Sequence, residues 1–265
     1  TTIPGGFPAV AANAVVGAGG GSLTLNFGNL INSDTNPNTT EIIVIEYRAV
    51  VLNTLANNRG VTRNNSATVN WVAGGVPQSA SDSAPDVTIV EPELQIVKSN
   101  GDPLLGDAGN VITFTLLVQH TSSSDATAMD VRLSDLINVT APDNYMTYVP
   151  GSLSIVDAGG PVRDPANVGN EVVAGDLDIR WSQFPLGATS TVTFQVTLDA
   201  GTPVDTTLTN TANLYWTSLP GDESAAQTSN ANSGERTGDP ADPGAGETGA
   251  NDHAAADDGI VLTPE

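Results

Sequence analysis

The chain has 265 residues, enough for one or two domains with a sizeable core. Eight lysines and arginines stand against thirty aspartates and glutamates, a net charge of -22. This disfavours nucleic acid and anionic membrane surfaces, which both need basic patches, and suits a self-repelling exterior bathed in salt or divalent cations. With no cysteine there are no disulfides and no thiol chemistry, and no stretch resembles a signal peptide or a membrane span.

Valine, threonine and isoleucine are abundant, 27 glycines and 17 prolines punctuate the chain, and helix-forming runs are missing. Short alternating segments separated by Gly, Asn, Asp and Pro predict an all-β chain of antiparallel sandwiches. The first 91 residues contain Thr2-Ile-Pro-Gly5, an apolar strand at Leu23 to Leu30, another at Ile42 to Ala49, and a strand at Asn65 to Trp71. On that last strand Asn65, Ala67, Val69 and Trp71 share the apolar parity, so Asn65 is expected to face a core.

The same landmarks recur in order. Tyr148-Val-Pro-Gly151, Leu177 to Phe184, Thr191 to Leu198 and the strand Thr206 to Trp216 follow at a near-constant offset, 145 at both the Asn (65 to 210) and the Trp (71 to 216). Val87 to Pro92 is matched by Ile260 to Pro264. Residues 1–91 therefore read as the closing half of one sandwich repeat and 92–265 as a complete repeat. The first sandwich would be completed by segments outside the chain, in cis or by a neighbour. The second repeat carries an insertion at about 221–259, acidic, Gly-rich and nearly free of large apolar residues, expected to form a long surface loop.

Within the second repeat the strands are Leu94 to Lys98, Val111 to Gln119, Met129 to Asp135, the two echoed strands around Trp181 and Phe194, and the Asn210 strand. Polar residues interrupt three apolar faces. Lys98, the sole lysine, continues the Leu94 and Ile96 face; Asp135 continues that of Val131 and Leu133; Asn210 interrupts that of Leu208, Ala212 and Leu214. Burial disfavours charge, so a buried lysine loses its proton to become a nucleophilic amine, and a buried aspartic acid keeps its proton. Together they suit attack of the Lys98 amine on the Asn210 amide carbon, with Asp135 as proton shuttle and ammonia as leaving group, giving an isopeptide bond. The alternatives are a lysine with its stem buried and its ammonium in solvent, an aspartate capping a turn, and an asparagine bonded to backbone. Asn65 would be half of a second such site, its lysine partner outside the chain.

Taken in order, Leu94-Gln-Ile-Val-Lys98, Val111-Ile-Thr-Phe-Thr, Val131-Arg-Leu-Ser-Asp135, Val149-Pro-Gly-Ser, a Trp strand followed by Leu186-Gly-Ala, and Asn210-Thr-Ala resemble a tandem-repeat domain of bacterial and archaeal envelope proteins, the "domain of unknown function eleven" type. Ser233 to Gly238 and Asn251-Asp-His also resemble long members of that group. Leu136-Ile-Asn138 departs from its usual Leu-Pro. The resemblance implies immunoglobulin-like β-sandwiches in stalks, adhesins and surface layers, with isopeptide chemistry in relatives. The expected protein is a non-enzymatic extracellular or cell-surface structural repeat whose partners are neighbouring repeats or its own copies. The runners-up are an adhesin binding a surface glycan or host ligand and a filament subunit completed by a neighbour's strand.

Other chemistry is sparse. His120 and His253 lack metal-ligand spacing, and no nucleophile elbow or phosphate loop occurs. Trp71, Trp181 and Trp216 could make a sugar platform, but Trp71 and Trp216 lie on core parities. No cofactor is expected except calcium, for which Asp239, Asp242, Asn251, Asp252, Asp257 and Asp258 crowd one acidic stretch; a disordered acidic loop is the competing expectation. Asn38, Asn64 and Asn138 begin glycosylation sequons.

Overall fold

The computed structural model describes residues 13–17, 21–30, 42–47, 49, 51, 57, 59–100, 107–137, 145–202, 208–218 and 254–262. Two units separate, 1–50 and 51–265. Strands β1 (Asn13–Val16) and β2 (Leu23–Asn26) form a two-stranded antiparallel pair in the first. The expected strand at Ile42 to Ala49 is not formed: among its described residues only Val44 makes a bridge. A short apolar run becomes a strand only where an edge is offered to it.

The second unit begins with β3 (Thr62–Arg63), β4 (Ser66–Ala73), β5 (Val76–Ser83) and β6 (Val87–Thr88). β4 and β5 form a hairpin closed by Gly74 and Gly75, at φ 57° and 82°. Two successive positive φ values are what a two-residue hairpin needs to match strand twist, and glycine adopts them without a Cβ clash. β3 pairs with β6, and neither pair is joined by a third strand among the described residues.

The sandwich itself comprises β7 (Leu94–Asn100), β8 (Val111–His120), β9 (Ala128–Asp135), β10 (Met146–Tyr148), β11 (Ser154–Ala158), β12 (Val162–Arg163), β13 (Val172–Val173), β14 (Asp176–Phe184), β15 (Thr189–Leu198), β16 (Leu208–Thr217) and β17 (Ala254–Leu262). One sheet runs β10-β15-β8-β7, with β11 also on β15; the other runs β12-β14-β9-β16-β17, with β13 also on β14. All pairings are antiparallel, so each strand shows one face to the core and one to solvent. The alternation is clean on β8 and β15, where Phe114, Leu116, Val118, Val192, Phe194 and Val196 are fully buried. Phe114 stacks on Phe194 at 5.4 Å, and Trp181 meets Phe184 edge-on at 5.9 Å. Each such side chain contributes about 1.5–3 kcal/mol by leaving water, which is what holds the two sheets together.

Two sequence expectations change here. Simple alternation from Val131 and Leu133 puts Met129 on the inward face, but it is only half-buried, while Ala128 and Asp130 point in. Asp130 lies at φ 46°, and three steps of β9 from Met129 to Arg132 oppose two of β16 from Thr217 to Tyr215. This is a β-bulge, which shifts parity and bends the strand. Second, the insertion ends earlier than 259, because β17 already starts at Ala254 and pairs along β16.

The junction into the sandwich is latched. Trp216 donates its indole N–H to the Pro92 carbonyl at 3.1 Å, the Glu91 N–H donates to Asp125 Oδ1 at 2.7 Å, and the Glu93 N–H donates to Ser124 Oγ at 2.9 Å. Ser124 also bonds His120 Nδ1 at 2.7 Å, and burial holds the His120 imidazole below its usual pKa.

Candidate functional site

Asp135 is the last residue of β9, which runs through the middle of its sheet between β14 and β16. It lies opposite Ala212 of β16. Asn210 stands two residues from Ala212, hence on the same inward face and diagonal to Asp135, a separation that side chains span. Lys98 approaches from β7, the edge strand of the facing sheet, where its parity with Leu94 and Ile96 sends it inward. Lys98, Asp135 and Asn210 are all buried.

Lys98 Nζ lies 2.7 Å from Asp135 Oδ2, with both side chains wholly shielded from solvent. Its amine sits 4.9 Å from the centre of the Phe114 ring and 6.0 Å from that of Phe194. The three inward polar residues thus gather in an apolar, aromatic-walled pocket. Lys98 and Asp135 are in direct contact, and the Asn210 amide lies near enough to Asp135 to favour its ionised form. Yet among the described residues neither Asn210 Nδ2, Asn210 Oδ1 nor Asp135 Oδ1 meets a partner in hydrogen-bonding geometry. Each buried polar group left in that condition costs about 1–3 kcal/mol.

Burial dominates the proton balance. It pushes the Lys98 amine below the ordinary lysine range, an effect that the neighbouring Asp135 carboxylate opposes. Burial pushes Asp135 up, opposed by Lys98 and then by Asn210. Both directions favour passing the proton from amine to carboxyl, which leaves a neutral pair in place of two desolvated charges. A neutral amine beside an amide carbon and a protonated carboxyl is the set required for acyl transfer to nitrogen.

Asp257 was missed as a neighbour of this site. It was grouped with the candidate metal ligands, but its Oδ2 accepts the Lys98 backbone N–H at 2.6 Å. That contact ties β17 to β7 across the open side of the sandwich. Its sequence signal was the apolar stretch around it, Ala254 to Leu262, which is a strand pattern broken by two acids. Asp258 lies on the same strand, its backbone opposite Thr211. Asp239, Asp242, Asn251 and Asp252 lie outside the described residues, and so do His253 and the sequons at Asn38 and Asn138. No group of three or more metal-ligating side chains occurs among the described residues.

Asn65 is placed differently from Asn210. It precedes β4, is exposed, and carries a carbonyl that accepts the Ala84 N–H at 2.7 Å. The expected core parity of its strand is exposed too: Val69 is 58% and Trp71 45% accessible. The pattern is apolar, but no opposing sheet covers it among the described residues. Trp181 and Trp216 are buried, so the three tryptophans form no common platform.

No family model matches the chain, and no curated protein matches it. No helix among the described residues is long and apolar enough to cross a membrane. Among solved structures, the chain is similar to the 35 kDa C-terminal fragment of the major pilin GBS80 of Streptococcus agalactiae. There the identity is 14% over 47% of this chain and 49% of that one, at a TM-score of 0.30. It is also similar to the RrgA Jo.In complex, at 15% identity over 45% of this chain and 69% of that one, with a TM-score of 0.32. A third similar structure is AvmM, described as catalysing macrocyclization in alchivemycin A biosynthesis, at 14% identity, 58% and 83% coverage and a TM-score of 0.26. The chain spans about half the length of the pilin fragment it matches. Likenesses this slight assign neither a family nor an activity to the chain.

Proposed function

We propose that the sandwich of residues 92–262 is a structural module of an extracellular stalk, filament or surface layer, closed by an intramolecular isopeptide bond between Lys98 and Asn210. The observation that carries this reading is the buried Asn210 amide with neither polar atom satisfied, beside a lysine and an aspartate shielded from water. As three separate side chains, the arrangement is costly. As a secondary amide, it removes the lysine charge and one orphaned NH2 group, and leaves Asp135 to bond the new linkage.

The chemistry balances without a cofactor. Asp135 takes a proton from the Lys98 ammonium. The neutral Nζ attacks Asn210 Cγ, so an Nζ–Cγ bond forms and the Cγ–Nδ2 bond breaks. The proton that Nζ sheds, relayed through Asp135, goes to the departing NH2, which leaves as ammonia. Phe114 and Phe194 exclude water that would stabilise the ammonium or hydrolyse the intermediate.

Such a bond suits a load-bearing role. Tension entering at β7 would cross to β16 through the linkage, bypassing residues 99–209. β17 follows Asn210 and stays outside the closed loop, held to β7 by Asp257. Intact mass spectrometry tests the reading: the protein is expected one ammonia lighter than its sequence, with Lys98 and Asn210 peptides joined. A mass equal to that of the sequence refutes it.

A further inference from the structure

The hairpin β4–β5 is a register-matched copy of β16–β17. Ala67 faces Asp82 as Ala212 faces Asp257, and Val69 faces Ala80 as Leu214 faces Ala255. In sequence, Asn65 and Trp71 keep the spacing of Asn210 and Trp216 about these pairs, although Asn65 lies just before β4 and Asn210 within β16. The two hairpins differ in their surroundings. In β16–β17 this face is closed: Ala212, Leu214 and Trp216 are at most 1% accessible, β9 lies along the free edge, and Asp257 holds the backbone of the lysine strand. In β4–β5 the same face is open, with Val69 58% and Trp71 45% accessible, and the outer edge of β4 takes no strand among the described residues. The opposite face is serine- and threonine-rich away from the turn, with Thr68 and Ser81 hydrogen-bonded at 2.8 Å, and its apolar residues are Val72, itself exposed, and Pro77 beside the turn.

From this we infer that the Ala67, Val69 and Trp71 face of β4–β5 is a docking surface for the opening half of a like repeat, supplied by a second polypeptide. The occupant is specified by what covers the twin hairpin. One strand has the pattern of β9, apolar in alternation and ending in an acid, and pairs along β4. A second has the pattern of β7, with an inward lysine whose N–H reaches Asp82. A two-stranded ribbon has little stability of its own, and a contiguous exposed apolar face marks a contact surface. Resting on the function proposed above, the same geometry would let the incoming lysine condense with Asn65: an Nζ–Cγ bond forms, the Cγ–Nδ2 bond breaks, and ammonia leaves. Two chains would then be joined covalently.

The test mixes the whole 265-residue protein with a labelled polypeptide of residues 92–136 of this sequence, which carries β7 to β9, at a salt concentration that screens the acidic surfaces. Binding is expected, with hydrogen-exchange protection gained on β4 and at least a tenfold loss of affinity in Trp71→Ser. Where the lysine condenses, a denaturant-resistant adduct one ammonia lighter than its parts maps to Asn65 and disappears in Asn65→Ala, while binding remains. No binding, protection confined to β16, affinity unchanged by Trp71→Ser, or self-association of the protein without the probe each overturns the inference. Binding without an adduct upholds docking; the mass of the protein alone separately decides the Lys98–Asn210 bond.

Discussion

Replacing the buried polar pair by apolar residues distinguishes a covalent from a non-covalent site by the sign of the stability change. In the double variant Lys98→Met/Asp135→Leu, both partners of the 2.7 Å contact are removed and the pocket beside Phe114 stays filled. Were the site only an ion pair, this exchange would be neutral or stabilising by about 1–4 kcal/mol, because two desolvated charges cost more than their attraction returns. If Lys98 and Asn210 are bonded, the variant frees a loop of about 110 residues in the unfolded chain; by analogy with a disulfide of that span, it loses about 5 kcal/mol. The two outcomes differ by about 5–9 kcal/mol, well outside the error of equilibrium denaturation. Urea unfolding of the wild type and the double variant is the assay. The midpoint is expected to fall substantially, and the variant's mass to match its sequence. A variant as stable as the wild type, or more so, would refute the cross-link.

Further predictions concern protons and ions. Asp135→Ala is expected to retain the full sequence mass in most molecules even where the domain folds, since Lys98 then has no proton acceptor; complete ammonia loss in this variant would show that Asp135 is dispensable. The reactive neutral pair contains as many protons as the ion pair, so in protein refolded from an unreacted state the rate of ammonia loss should be flat across the middle pH range. It should fall in acid, where the pair gains a second proton, and in alkali, where it loses its last one. A rate rising steadily with pH, as for an exposed lysine, would contradict this. Burial raises the pKa of Asp178, but hydrogen bonds from Arg180 and Arg132 outweigh it and hold the carboxyl below the usual carboxylate range. That contribution is present above the unfolded pKa and is lost as pH falls through the folded one. Asp178→Asn should therefore cost of order 1 kcal/mol at neutral pH and converge with wild type in acid, as thermal melts across pH would show. Finally, calcium is expected to raise the melting temperature if the acidic stretch holds it; melts that are the same with and without chelator would end that proposal.

How far the sequence reached can be judged residue by residue. Alternation on β8, β14, β15 and β16 was legible because period-2 burial is a local property of extended chain, and the sandwich needs little more. Lys98, Asp135 and Asn210 announced themselves as polar interruptions of apolar faces. That they share one site was expected from the chemistry they suit together; the route of the contact, from the edge of one sheet to the centre of the other, was not legible, because it depends on topology. Nor was the bulge at Asp130, which moves Met129 outward, because a positive φ at a non-glycine residue is fixed by the neighbouring strand.

The strand stretches of residues 13–91 show the limit from the other side. The sequence alone determined that Asn65, Ala67, Val69 and Trp71 form an apolar face, and that this face repeats that of Asn210 to Trp216. Only the tertiary structure decided that one copy is buried and the other open, because burial belongs to the opposing sheet and not to the strand itself. It likewise took Asp257 out of the supposed acidic loop and set it on the lysine strand's backbone, where an edge N–H otherwise lacks a ladder partner.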